Sequence, residues 1–344
     1  MIERPAPARP AGPGGDVLSA LLRTVRLGGA LQFCLMPEGD WETDDKPRMA
    51  ALATRAVAAI PFHILVEGEC WLRMQGGEWA LEAGDVAAFP FATGHQLGAG
   101  RGGRRISPTD DLPPKPWNQL PVLRYGGDGR RVRLLCGYLE CDAVNFRPLR
   151  QSLPTLLHVR TATSEQTRWL AATIRQMELE TDHPRPGGQS VIERLTEIIF
   201  IELLRHQIIA GPPEKVGWLA AAGDPALGRC LALIHDQPRR EWSVATLAAE
   251  AGLSRSTLTD RFEAVLATSP MRYVREWRLY LASTDLRTTA KPIPVIAEEA
   301  GYGTEAAFSR AFSRAFHCPP AAWRHDPRDR TVRSNGVTVP PANV

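Results

Sequence analysis

Leu247-Ala248-Ala249-Glu250-Ala251-Gly252-Leu253 returns 49 residues later as Ile296-Ala297-Glu298-Glu299-Ala300-Gly301-Tyr302. Each copy reads as a short helix that must stop sharply, turn at a residue that tolerates positive φ, and hand over to a second helix crossing the first. Gly252 and Gly301 supply that turn. Leu253 and Tyr302 fill the angle, and small Ala248 and Ala297 permit close approach. Downstream, Leu258 and Phe262 in the first copy and Phe308 and Phe312 in the second anchor the following helix, with one extra residue in the second turn. A repeat of this kind marks two copies of one supersecondary unit, and the unit is a helix-turn-helix.

The face of each second helix that lies off the apolar stripe is then free to read DNA. In the first copy Ser254 is placed to cap, and Arg255, Ser256, Thr259 and Asp260 are the candidate base or phosphate contacts. In the second copy Glu305, Ala306, Ser309 and Arg310 hold comparable positions, with Arg314 further along toward a phosphate. For each of these side chains a solvated helix face is the competing reading. Between the copies, residues 273–286 carry Val274, Trp277, Leu279, Tyr280, Leu281 and Leu286, which suit a long buried connector, while Arg272, Arg275, Arg278 and Arg287 are available to phosphates. Such a connector suits two readers because successive major grooves on one DNA face repeat about every 34 Å.

Charge alone does not announce this function. The 344-residue chain has a formal net charge of +3, and residues 224–324 hold 13 basic and 11 acidic side chains. What matters is where the cations sit. The length exceeds what one core usually organises, so two globular domains are expected, and 44% hydrophobic with 23% charged residues is an ordinary globular composition.

Outward from the repeat, residues 210–223 read as a linker and residues 325–344 as a disordered tail. Residues 1–15 are a proline-rich leader without the apolar run of a signal peptide. No stretch has the apolar length of a membrane span, so a soluble, cytoplasmic protein is expected. Six scattered cysteines in a chain without an export signal are expected to be reduced thiols. Asp16 is placed to cap a short entry helix over residues 16–26. From about 28 to 160 the pattern becomes short strands such as His63-Ile64-Leu65-Val66, separated by glycine pairs, which predicts a β-barrel or sandwich. Residues 98–121 read as a long surface loop. Helical spacing returns at 163–177 and 190–205, so residues 163–207 form a helical hairpin, and residues 16–209 one domain. In its second helix Ile192, Leu195, Ile198, Ile199 and Leu203 form an apolar stripe that either packs on its own barrel or makes a homodimer contact.

Residues 224–324 resemble the DNA-binding domain of AraC/XylS transcription regulators, which is all-α with two helix-turn-helix motifs. The most specific stretches are Ser269-Pro270-Met271-Arg272-Tyr273 followed by Arg278, and Ile296-Ala297 through Gly301-Tyr302 to Phe308-Ser309-Arg310-Ala311-Phe312. The resemblance implies promoter DNA as partner, with RNA polymerase as a further partner if the protein activates. The family usually has glycine where this chain has Ala267 and His317, which stand at helix C′ sites. If the backbone there is left-handed, alanine costs on the order of 1 kcal/mol relative to glycine and histidine somewhat less.

The N-terminal half resembles the cupin-like domains attached to some AraC-type regulators, through His63-Ile64-Leu65-Val66-Glu67-Gly68, Leu81-Glu82-Ala83-Gly84-Asp85 to Pro90 and His95, and Leu134-Leu135-Cys136-Gly137. This implies a β-barrel with flanking helices that senses a small-molecule effector. Cupin enzymes hold a divalent metal, and His63, Glu67 and His95 fit three of the four places; Pro61 stands where the leading histidine would be. Cys136 on a neighbouring strand is a substitute fourth ligand for zinc or iron. Against this stands a reading in which the histidines are hydrogen-bonded and Cys136 is an apolar filler. The incomplete set argues against an enzyme. A cupin-type metal-dependent enzyme fused to a DNA-binding domain, or a barrel that only dimerises, are the remaining alternatives.

Overall fold

The computed structural model describes residues 16–23, 25, 27–43, 57–142, 147–161, 168–210 and 216–325. The expected leader and tail, apart from His325, lie outside the described residues. The chain divides into two compact units, one formed by Arg26–Ala210 and the other by Met1–Val25 with Gly211–Val344.

Among the described residues the Arg26–Ala210 unit has eleven strands in two sheets. The strands are β1 (Leu27–Pro37), β2 (Trp41–Thr43), β3 (Val57–Glu67), β4 (Glu69–Met74), β5 (Gly77–Glu82), β6 (Val86–Ala88), β7 (His95–Ala99), β8 (Arg104–Ile106), β9 (Val122–Tyr125), β10 (Arg133–Asp142) and β11 (Leu157–Val159). One sheet runs β11-β6-β3-β10-β1-β9 and the other β5-β4-β7-β2-β8. Hydrogen bonding does not run on from one sheet to the other among the described residues, so the expected barrel is a two-sheet sandwich. Closure would need continuous pairing around the ring. Here the sheets end on short strands, β8 and β9 each joining parallel to one neighbour.

The alternation that places the core is plain in β4, where Cys70, Leu72 and Met74 are buried and Glu69, Trp71 and Arg73 turn outward. Trp41, Phe89, Leu81, Leu97, Leu134 and Cys136 complete that interior. Within residues 98–121 the chain is not wholly irregular, because β8 pairs with β2 through Trp41↔Arg104 and Thr43↔Ile106. All six cysteines are free thiols.

The hairpin is present as α3 (Arg168–Asp182) and α4 (Gly188–Ala210), after the single turn α2 (Arg147–Arg150). The α4 stripe divides its work. Ile192, Ile199 and Leu203 are buried, and α4 packs on β1, whereas Leu195 is half-buried and Ile198 is 40% exposed.

The second unit is all-α: α1 (Val17–Leu22), α5 (Trp218–Gly223), α6 (Pro225–Asp236), α7 (Val244–Ala251), α8 (Arg255–Leu266), α9 (Pro270–Thr288), α10 (Ile293–Glu299), α11 (Glu305–Phe316) and α12 (Pro320–Arg324). Two features depart from the sequence reading. Residues 218–223, assigned to the linker, are helical and packed: Trp218 and Leu219 are buried, and the Trp218 indole donates to the Tyr273 hydroxyl at 3.1 Å. Helix α1, grouped by sequence with the N-terminal domain, lies instead against α6. No helix among the described residues is long and apolar enough to cross a membrane.

Candidate nucleic-acid interface

Both repeats fold into the same corner. Helix α7 opens on a reciprocal capping box between Ser243 and Thr246 and ends at Gly252, whose φ of 68° and ψ of 32° are left-handed. The Leu253 amide then donates back to the Ala248 carbonyl at 2.9 Å, closing the turn. In the second copy Gly301 has φ of 83° and the Tyr302 amide donates to the Ala297 carbonyl at 2.9 Å. The next helix starts on a side-chain cap in each case, Ser254 accepting from the Thr257 amide and Thr304 from the Ala307 amide.

Helices α8 and α11 bury the residues that sequence assigned to the core. Leu258 and Phe262 on one, and Phe308 and Phe312 on the other, are fully buried. Arg255, Ser256 and Asp260 are exposed, and Thr259 is half-buried with its hydroxyl donating to the Arg255 carbonyl at 3.0 Å. The Ser256 hydroxyl lies 3.0 Å from that of Ser254, so part of its capacity is used locally. On α11, Glu305, Ala306, Arg310 and Arg314 are exposed and Ser309 is half-buried. The structure thus gathers the candidate contacts on the outer faces of the two second helices. The connector is α9, 19 residues long, which spans about 28 Å at the helical rise.

The arginines of α9 do not all serve one purpose. Arg275 is exposed. Arg278, read from sequence as available to phosphate, donates through Nε to the Pro238 carbonyl at 2.7 Å and through its terminal nitrogen to the Arg240 carbonyl at 2.8 Å. It therefore ties the connector to the segment before α7. Arg272 pairs with Glu276 one turn on, and Arg287 stacks 4.1 Å above the Trp323 ring.

Sequence reasoning did not find the buried polar knot beneath the first motif. The Tyr273 hydroxyl lies 2.9 Å from His235 Nε2 while accepting from Trp218, and His235 stacks on Trp277 at 3.9 Å. His235 Nδ1 has no hydrogen-bond partner among the described residues, and burial pushes the imidazole down to about 3. The signal was a tryptophan, Trp218, inside a presumed linker.

In the sandwich, His63, His95 and Cys136 come together and Glu67 does not. Register places Cys136 of β10 opposite His63 of β3. His63 Nδ1 lies 3.1 Å from Cys136 Sγ, His63 Nε2 lies 2.8 Å from His95 Nε2, and His95 Nδ1 lies 2.9 Å from the Thr93 carbonyl. The proton order follows from chemistry. A carbonyl only accepts, so His95 Nδ1 carries the proton, and desolvation holds His95 neutral by pushing it down to about 4. Its Nε2 must then accept from His63 Nε2–H. Desolvation, with His95 adding to it, lowers His63 as well, so His63 Nδ1 accepts from the Cys136 thiol, which burial keeps protonated.

This chain of neutral hydrogen bonds is not the arrangement that a zinc or iron site built from His63, Glu67, His95 and Cys136, the alternative weighed above, would need. The two nitrogens of His63 face different partners and cannot both meet one ion. Glu67 is exposed at the end of the same strand, and four residues along a strand are about 13 Å. No group of three or more His, Cys, Asp or Glu side chains among the described residues is placed to hold a metal. Elsewhere in this unit a cavity of about 420 Å³ opens between Asp40, Glu69, Trp71, Glu82, Asp128 and Arg130.

The comparisons agree with both halves. The cupin family model matches residues 16–208, and a helix-turn-helix domain model matches residues 247–326. The chain belongs to the AraC-type helix-turn-helix transcription regulators that carry an N-terminal cupin domain. It is similar over most of its length to the HTH-type transcriptional regulator AlkR of Acinetobacter baylyi, 28% identical over 312 residues, covering 90% of this chain and 99% of that protein. Over 90 residues it is 38% identical to the regulatory protein SoxS of Escherichia coli, covering 26% of this chain and 81% of that protein. The family is one of regulators, not of enzymes.

Proposed function

We propose that this regulator reads a promoter through α8 and α11 in successive major grooves and that a small molecule bound by the cupin domain alters that reading. Among the named side chains, Arg255 and Arg310 are the base-contact candidates and Arg314 a phosphate contact, with Ser256, Thr259, Asp260, Glu305, Ala306 and Ser309 lining the same faces. The observation that carries the reading is the pair of corners with the same glycine turn and back-turned amide, joined by a 19-residue helix. The open cavity near Trp71 and Arg130 has room for a small molecule, which is compatible with an organic effector. The outward Ile198 and Leu195 of α4 support a homodimer contact.

Selection of bound fragments from a random DNA library with the purified full-length protein tests this. The expected product is a site with two conserved segments about one helical turn apart. Recovery of no preferred sequence, at modest salt where non-specific attraction is still strong, would remove the function. A metabolite panel read by melting temperature tests the effector, since a compound that binds only the native form raises stability.

A further inference from the structure

Gly252 and Gly301 hold the same place in the two motifs, yet they are not under the same constraint. Both are left-handed, with φ of 68° and 83°. Among the described residues, a Cβ on Gly252 would meet nothing beyond its chain neighbours within 4 Å, whereas a Cβ on Gly301 would lie 2.5 Å from Nη1 of Arg278, well inside contact distance. The first glycine is required by its backbone conformation. The second also makes room for a guanidinium.

That guanidinium is not free to swing away. Arg278 is half-buried on α9, and its Nε and Nη2 are committed to the carbonyls of Pro238 and Arg240 at 2.7 and 2.8 Å. A charged donor makes the stronger class of hydrogen bond, and the rigid fork of arginine meets two acceptors at once. Both carbonyls belong to the segment that leads into α7, and that segment is itself braced. The Trp242 indole donates to the Gln237 carbonyl at 2.9 Å, and Arg240 stacks 4.2 Å above the Trp242 ring while pairing with Glu250 of α7 at 3.0 Å. Arg278 therefore has one edge on the approach to the first motif and the other against the turn of the second. Beside it Arg239 pairs with Glu299 of α10 at 2.9 Å, but that arginine is largely exposed and such a pair contributes little. The main packing of the motifs is otherwise separate, with α7 on α6 and α10 on α9.

We propose that Arg278 is a positioning residue that locks the two readers in one register, so that the protein accepts a single spacing between the two segments of its site. It acts on spacing without touching DNA. The consequence for spacing rests on the two-reader function above, whereas the lock is a property of the free protein, and the two are measured separately.

The test uses the full-length chain with two spin labels at exposed positions, Ala264 of α8 and Arg314 of α11, carried by encoded unnatural residues because the chain has thiols of its own. Without DNA the parent is expected to give one narrow distance distribution. Arg278→Ala and Gly301→Ala are each expected to widen it about twofold or more as further arrangements become populated. Gly252→Ala, which carries the same left-handed strain with no guanidinium in its way, is expected to leave it unchanged. Arg278→Lys, which has no fork to span both carbonyls, is expected to fall between the parent and Arg278→Ala. Gly301→Ala carries the test if Arg278→Ala does not fold. The second arm measures affinity for the duplex recovered from the library, and for that duplex with one base pair added or removed between its two segments, a change that turns one groove by about 35° against the other. The parent is expected to lose about tenfold at either altered spacing, and Arg278→Ala about threefold or less. A distribution as narrow in Arg278→Ala as in the parent, or one widened as much by Gly252→Ala as by Gly301→Ala, would overturn the lock. An Arg278→Ala chain that loses the same factor as the parent at each altered spacing would overturn it as well. A parent that prefers no duplex would remove the two-reader function and with it the consequence for spacing, while the distances still decide the lock.

Discussion

The first and second helix-turn-helix motifs share one turn and stand on two different cores. In the first, α7 and α8 lean on α6 and on a knot that mixes Trp218, His235 and Tyr273, with an Arg261–Asp224 ion pair at its edge. In the second, α10 and α11 close over a stack of aromatic rings. Phe312 lies 4.5 Å from Phe316 and 5.8 Å from Trp323, and Tyr280 of the connector meets Phe316 at 5.9 Å. The corner itself depends on a glycine and one back-turned amide, both local. Its foundation depends on whatever apolar surface the neighbours offer, and here two different foundations carry the same turn.

The largest way to break the symmetry is to remove the centre of the second core. Phe312→Ala is expected to cost about 3–5 kcal/mol and to lower the calorimetric melting temperature of the helical unit more than Leu258→Ala does in the first core. A result in the other order would mean that the aromatic stack is not the main support of its motif.

Acid is expected to reach the first motif in preference to the second. Above pH 6.5 the His235 imidazole is neutral in both folded and unfolded chains, and its burial adds no pH dependence. Below that, the unfolded chain takes up a proton that the folded one refuses until about pH 3, so stability falls with falling pH across that window. Urea unfolding of the His235→Phe chain is expected to show a shallower loss between pH 6.5 and 4. An identical pH profile would remove His235 as the titrating group.

At the DNA surface, Arg310→Ala is expected to weaken specific binding by about 1–3 kcal/mol if the guanidinium takes a bidentate base contact. If it meets phosphate, the slope of log affinity against log salt falls by roughly one instead. Arg255→Ala gives the matching measurement on the first reader, and equal losses would show that the two motifs share the work. The smallest effect is at the helix ends. Ala267 and His317 both sit in the left-handed region, with φ of 51° and 54°, as their place at C′ sites predicts. Ala267→Gly is expected to stabilise by up to about 1 kcal/mol, and His317→Gly by somewhat less. Thermal melts of the two single variants decide it.

Much of this was legible in the sequence because its signals are local. The αL glycines, the capping Ser254 and the inward Leu258, Phe262, Phe308 and Phe312 all follow from spacing within a dozen residues. Strand segments such as His63–Val66 were readable from their patterning, and Cys136 could be placed on a neighbouring strand, but the pairing of Cys136 with His63 comes from the fold. Three further things were not legible. Arg278 reads as a phosphate contact until the Pro238 and Arg240 carbonyls are found beside it. His63 and Glu67 read as partners until the strand that carries both holds them apart. The segment at 218–223 reads as linker because six residues are too few to show a period.

What the residues determine alone is where the backbone must bend and which side chains it must hide: a left-handed turn selects glycine, and an apolar stripe at helical spacing must be covered. Which surface covers it is a property of the folded whole. Helix α1 shows this most directly, since its capping Asp16 and its apolar Val17, Leu18 and Leu21 announce a helix, yet only the assembled molecule places it on α6 rather than on the strand that follows it. So short a segment has too little internal stability to choose; it goes where an apolar face is offered, and that face is made by residues some two hundred positions away.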